Sequence, residues 1–184
     1  NNIDTTPSEP LAEWTADLLT GYRERCAKYG IELEMMHLIG SGSALKDEIT
    51  GAIFLKPSDE RERQLDLVCD VIRMAGKAGL RGFNYNITIL GHLRTQSTTG
   101  RGGARLSTFD YEELISKGSP REKGATGFTE FEDGPADADE MWERIDYWLQ
   151  RVIPVAEEYN VQMACHPSDP GIGVGNTYRG VDRV

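Results

Sequence analysis

The sequence predicts an α/β fold organised on a parallel sheet, and three observations lead there. Helical and strand-like patterns alternate in the order helix, strand, helix, strand, loop, helix, strand. The strand-like runs are short, and polar or glycine-rich runs follow them, so those runs would gather at one end of the sheet. No period repeats along the chain. A closed (β/α)8 barrel takes about 250 residues, so a chain of 184 residues could supply only part of one.

The first helix is expected to begin near residues 5–10, with Thr6 or Ser8 capping free backbone N–H groups and a proline in the first turn. Leu11, Trp14, Leu18 and Tyr22 recur at helical spacing, and Gly30 closes it. Residues 31–38, "IELEMMHL", read as a strand, although Met35 followed by Met36 breaks the period of two. A turn-rich piece over residues 39–51 leads to a second helix at residues 58–79. There Leu65, Val68, Ile72 and Ala75 form one apolar stripe, acids sit early, Lys77 sits late and Gly79 stops it. Residues 80–90, "LRGFNYNITIL", read as a second strand in which Asn84 and Asn86 alternate with Phe83, Tyr85 and Ile87, so the two amides share a face.

Residues 91–135 are rich in Gly, Thr and Ser, with only a short helical possibility at "FDYEELISKG". An irregular stretch of that length is expected to be a functional loop, a lid or disordered. A third helix spans residues 136–160, with Met141, Ile145, Trp148, Leu149 and Val152 on one face, and Pro154 is expected to kink or interrupt it. "VQMAC" then makes the last strand, with His166 at its end. The whole reads as one domain, residues 1–184, a partial barrel with a long loop at about 91–135.

Thirty acidic residues against twenty basic ones give a net charge of −10, which disfavours binding to nucleic acid or to an anionic membrane surface. Cys26, Cys69 and Cys165 are odd in number and lack CxxC spacing, as a reducing, cytoplasmic compartment permits. No apolar run approaches the roughly 18 residues needed to span a bilayer, and the N-terminus has neither a basic nor an apolar leader region. The missing initiator Met and the ending at "RGVDRV" suggest a piece of a longer protein.

In an α/β barrel the C-terminal strand ends line the site, which singles out His37, the run from Asn84 to Arg94, and His166 with Asp169. A lone histidine at a strand end is more often a hydrogen-bonded structural residue than a ligand, and His37 carries that reading. His166 is better placed, because it follows an apolar strand directly, Pro167 stiffens the next turn, and Asp169 is close enough to orient it or to meet a substrate. Cys165 should point to the opposite face and pack in the core. Arg94 could clamp a carboxylate, with Arg183 as a second cation. "STTGRGGAR", residues 97–105, lacks the GxxxxGK[ST] order and reads as a flexible loop with weak phosphate potential. A metal site needs three or four ligands, so spacing alone leaves two possibilities: ligands beyond residue 184, or no metal site.

"RVIPVAEEYNVQMACHPSDP", followed by "YRGVDRV", resembles the mannonate dehydratase family, whose members carry a helix ending like IPVAEE, a strand, then HPDDP and a Gly-x-x-Arg-[Ile/Val] element. "GLRGFNYNITILGHLRT", followed by "GGARLSTFD", is similar to that family's strand with a Tyr-Asn pair, its Trp-x-Arg-Thr turn and its later Arg-Phe-Asp. The resemblance runs in the same order from about residue 10 and is strongest from Ile153 to Val184. It implies a xylose-isomerase-like (β/α)8 barrel, only part of which this chain holds. The implied reaction is metal-dependent loss of water from D-mannonate, giving 2-dehydro-3-deoxy-D-gluconate with Mn²⁺ or Fe²⁺.

On the same resemblance His166 is a metal ligand, and the remaining Cys, His and Asp ligands come from later strands. Arg94, His92 and Asp169 are the catalytic candidates, and Asn84, Asn86 and Arg183 the substrate-binding ones. The partner implied is a small sugar acid, and a homo-oligomer is compatible. The chain departs from the family in three places. HPDDP is HPSDP here, so only Asp169 matches; Asp-Trp-x-Arg-Thr is Gly91-His92-Leu93-Arg94-Thr95; and "MMHLIGSGS" replaces acids after an earlier strand. These departures bear on substrate identity and keep two other readings open: a metal-dependent sugar isomerase or epimerase of the same superfamily, and a non-catalytic sugar-acid binder.

Overall fold

The computed structural model describes residues 2–38, 51–86, 89–120, 124–167 and 169–183. The expected turn-rich piece at 39–51 lies almost wholly outside the described residues, as does Ile87. The chain divides into two compact units, Asn1–Ile89 with Ile145–Pro167, and Leu90–Arg144 with Ser168–Val184.

The first unit is built on a four-stranded, all-parallel sheet of strands β1 (Asn2–Asp4), β2 (Glu32–His37), β3 (Gly82–Asn86) and β6 (Gln162–His166), in that spatial order. Helices α1 (Ala16–Ala27), α2 (Asp59–Lys77) and α4 (Ala138–Glu158) connect or flank them. The register pairs Met35 with Gly82, and Gly82 with Gln162. A side chain at position 82 would place its Cβ 2.9 Å from the Gln162 carbonyl oxygen, so only glycine admits that approach. Gly76 does the same for the helix layer, since a Cβ there would come within 2.6 Å of the Tyr159 Cβ.

Phe83 and Tyr85 face the helical side, where Trp14 stacks on Phe83 at 6.3 Å between centroids and Trp148 lies 4.6 Å from Tyr85. The expected stripe of α2, Leu65, Val68, Ile72 and Ala75, is fully buried, and Ser58 caps the helix by accepting from the Arg61 N–H. Polar bonds tie α2 to α4: Glu62 accepts from the Tyr147 hydroxyl at 2.7 Å and from Arg151 at 2.6 Å, while Asp66 accepts from Arg151 at 2.6 Å.

Three expectations need correction. The first helix starts at Ala16 with Thr15 as its cap, not at Thr6 or Ser8, and its buried residue is Leu19 rather than Leu11, Leu18 or Tyr22. Pro7 and Pro10 hold the preceding chain extended, Leu11–Glu13 makes only a 3-10 turn, and Trp14 is buried before the helix begins, its indole N–H donating to the Glu9 carbonyl. Pro154 does not interrupt α4, which runs unbroken to Glu158. Both Pro154 and Gln150, whose carbonyl loses its helical donor, are exposed, so water can meet that carbonyl. Cys165 is exposed rather than packed in the core, because β6 is an edge strand of the sheet.

The second unit shows order within the stretch read as a long loop. Strands β4 (Thr98–Thr99) and β5 (Arg105–Leu106) form an antiparallel hairpin, and α3 (Tyr111–Lys117) follows, capped by Asp110. A second hairpin pairs β7 (Thr177–Tyr178) with β8 (Val181–Asp182). Both residues of its two-residue turn, Arg179 and Gly180, have positive φ, at 58° and 76°, as a tight turn of this hand requires. The core of the unit holds Leu114, Phe131, Tyr178 and Val181. Among the described residues no helix is long and apolar enough to cross a membrane.

Replacing Gly82 by Ala is expected to lower stability by about 1–3 kcal/mol, the range for forcing extra atoms into a packed position. Urea unfolding reads this as a lower midpoint, and an unchanged midpoint would remove the proposed close approach.

Candidate functional site

In the first unit the ladder brings polar residues onto the sheet face opposite Phe83 and Tyr85. His37 is in register with Asn84, Asn84 with Ala164, and Asn86 with His166. The side chains of Asp4, Asn84 and His37 form a chain: the Asn84 amide nitrogen donates to Asp4, and its oxygen meets Nδ1 of His37. Asn86 is buried and His166 is exposed at the strand end. Of the residues expected to act here, the sheet therefore groups Asn84, Asn86 and His166. Asp4 was not foreseen, since three residues are too short a strand for any periodic signal.

In the second unit Arg94, His92, Asp169 and Arg183 come together. Arg94 Nη2 donates to Asp169 Oδ2 at 2.8 Å, and its Nη1 donates to the Asp169 carbonyl at 3.1 Å. Arg183 Nη2 donates to the Gly91 carbonyl at 2.8 Å and the Asp169 carbonyl at 3.5 Å. Arg183 Nε and Nη1 are buried with no hydrogen-bond partner among the described residues. Arg183 is delivered by the β7–β8 hairpin, whose turn residue Arg179 donates to the carbonyls of Thr129 and Glu130.

The charges do not balance. Arg94 pairs with the Asp169 carboxylate while Arg183 donates to the Asp169 backbone carbonyl, so these three side chains together carry a net positive charge. Burial raises the Asp169 carboxyl, but Arg94, by charge and hydrogen bond, together with the charges of His92 and Arg183, outweighs it and holds the group below the ordinary carboxylate range. Burial pushes the Arg183 guanidinium down to about 10, with Asp169 opposing and Arg94 adding to the shift. A desolvated guanidinium with unmet donors is a strong site for an anion.

Arg94 also lines a cavity of about 500 Å³ with Thr95, Gln96, Ser97, Arg105 and Ser107. Arg105, on β5, donates to the Ser97 hydroxyl at 2.8 Å. It sits in the "STTGRGGAR" run, whose two-strand hairpin is too short to announce itself in sequence.

Among the described residues no three His, Cys, Asp or Glu side chains lie close enough to hold an ion. His166 is a single imidazole, so the described residues do not make such a centre by themselves.

The family described as D-mannonate dehydratase (UxuA) matches residues 7–184. The mannonate dehydratase of Lachnoclostridium phytofermentans is 29% identical over 181 residues, covering 85% of this chain and 48% of the relative. That of Thermotoga petrophila is 26% identical over 185 residues, covering 88% of this chain and 49% of the relative. The crystal structure of mannonate dehydratase from Streptococcus suis serotype 2 superposes with a TM-score of 0.69 at 18% identity, over 97% of this chain and 47% of its own. That likeness shows the fold. The chain spans about half the length of these curated relatives.

Because the folded value of Asp169 lies below the unfolded one, its contribution is complete above about pH 4 and is lost as pH falls through the lower folded value. Replacing Arg94 by Ala should move the Asp169 midpoint upward in a carboxyl-carbon NMR titration. A midpoint that stays put would contradict the pairing.

Proposed function

The chain belongs to the D-mannonate dehydratase (UxuA) family, and from that premise we propose that the whole protein is a hydro-lyase removing water from D-mannonate or a closely related sugar acid. The product is 2-dehydro-3-deoxy-D-gluconate. The observation that carries this reading is Arg183, buried beside the Arg94–Asp169 pair with two nitrogens unmet.

Within the second unit, Arg94 and Arg183 receive the substrate carboxylate, and Asp169 holds the Arg94 guanidinium in place. When the proton on the carbon beside the carboxylate leaves, negative charge spreads onto the carboxylate oxygens. Fixed cations aimed at those oxygens lower the barrier, because they need no reorientation as the charge grows. His92 stands next to Asp169. Within the first unit, Asn84 and Asn86 are assigned to sugar hydroxyls. His166 is assigned to one ligand position of a Mn²⁺ or Fe²⁺ ion, with the others not among the described residues. The three free cysteines suit a reducing cytoplasm.

Incubating the full-length protein with D-mannonate and Mn²⁺ or Fe²⁺ should yield a 2-keto-3-deoxy acid lighter by one water. A product of unchanged mass, or no turnover, refutes the reading. In the same assay Arg183→Gln should raise KM by about tenfold or more, the scale of a lost charged hydrogen bond; an unchanged KM would remove Arg183 from the carboxylate site. His166→Ala should lower both Mn²⁺ affinity and turnover, and wild-type values for both would cancel its ligand role.

A further inference from the structure

We propose that the sugar acid this protein takes carries a second anionic group at the end away from its carboxylate, and that Arg105 receives it; this rests on the dehydratase reading above. All the residues concerned belong to the second unit. The cavity of about 500 Å³ beside Arg94 has a wall of two guanidiniums, three hydroxyls and one side-chain amide, with no acid among the described lining residues. In a chain of net charge −10, a polar recess that holds cations and no carboxylate selects for anions.

Hairpin geometry turns Arg105 toward that recess. The antiparallel register pairs Thr98 with Leu106 and Thr99 with Arg105, which puts Ser97 opposite Ser107. Side chains alternate along a strand, so Ser97, Arg105 and Ser107 share the face that lines the cavity. Two bonds fix the hairpin to the turn that carries Arg94: the Thr95 N–H donates to the Thr108 carbonyl at 2.9 Å, and the Thr108 hydroxyl donates to the Gln96 carbonyl. Arg105 Nε donates to the Ser97 hydroxyl at 2.8 Å. That bond occupies one edge of the guanidinium and leaves the two Nη groups, whose parallel donors match two oxygens of a carboxylate or a phosphate. Among the described residues no carboxylate pairs with Arg105.

Arg94 joins the two ends of the ligand. It pairs with Asp169 beside Arg183, where the substrate carboxylate is assigned, and it also borders the cavity. An acid held there by its carboxylate extends its far end past the hydroxyls of Ser97 and Ser107 to Arg105. The departures from the family motifs change the charge in the same sense. Gly91 and Ser168 stand where Asp-Trp-x-Arg-Thr and HPDDP carry acids, so two negative charges close in sequence to Arg94 and Asp169 are gone. Their loss suits a substrate more negative than a hexonate, whether the added group is a second carboxylate or a phosphate ester.

The full-length protein, supplied with Mn²⁺ or Fe²⁺, is assayed on three acids: D-mannonate, its 6-phosphate, and D-mannarate, the six-carbon diacid. At least one of the two acids with a charged far end should exceed D-mannonate in kcat/KM by about tenfold or more, the scale of one charged hydrogen bond. Which of them does so identifies the second group. Arg105→Gln should remove the preference, and Arg105→Lys should keep part of it, since the charge remains without the fork. D-Mannonate as the best substrate, or a preference that stays within threefold of wild type in Arg105→Gln, overturns the inference and leaves the dehydratase reading in place. Calorimetric titration of the same acids separates the two failures. If none is dehydrated, tighter binding of a charged-end acid that Arg105→Gln abolishes sinks the dehydratase reading alone, and no such binding sinks both.

Discussion

The approach of β6 to β3 at Gly82 governs the first unit. No side chain fits between Gly82 and the Gln162 carbonyl, and once that close pair is set the ladder counts upward in register. Asn84 then falls beside Ala164, and Asn86 beside His166. Gly76 repeats the device in the helix layer by letting α2 meet Tyr159. Period-two geometry does the rest. It sends Phe83 and Tyr85 to the tryptophans on one side and the amides and imidazoles to the other. Small residues at the base of the sheet thus set which side chains line up at its rim.

The second unit reaches a charged centre by different means. Its strands have two residues each, too short to build a sheet of any extent. Tight turns and side-chain bonds to carbonyls carry the geometry. Arg179 holds a left-handed backbone conformation in the β7–β8 turn and spends its guanidinium on the Thr129 and Glu130 carbonyls. Four residues later Arg183 finds fewer partners than donors. The contrast between these two arginines separates a structural cation, satisfied by backbone, from one left open to an anion.

Elements long enough to repeat a pattern were legible in sequence. The stripe of α2 recurs at helical spacing over the eleven residues Leu65–Ala75 and is buried as expected; β2, β3 and β6 fall where alternating or apolar runs place them. Features set by single contacts were not. The delayed start of α1 follows from two prolines and from an indole bonded to the Glu9 carbonyl. β1 becomes a strand by pairing with β2 rather than by any pattern of its own. The β4–β5 hairpin inside residues 91–135 lies in a run whose Gly, Thr and Ser content suits a loop equally well.

The sequence by itself determined the alternating α/β order, the absence of a strong basic surface and the family, through ordered motifs that leave their mark on residue identity. Only the tertiary structure decided that Arg183 is short of partners, that Arg94 and Arg183 converge on Asp169, and that Asp4 reaches His37 through Asn84. Those facts join residues up to 92 positions apart. Periodicity reports which face a residue occupies along its own element, whereas hydrogen bonds and charge balance depend on which elements meet. That meeting is set by packing and register, at positions such as Gly82.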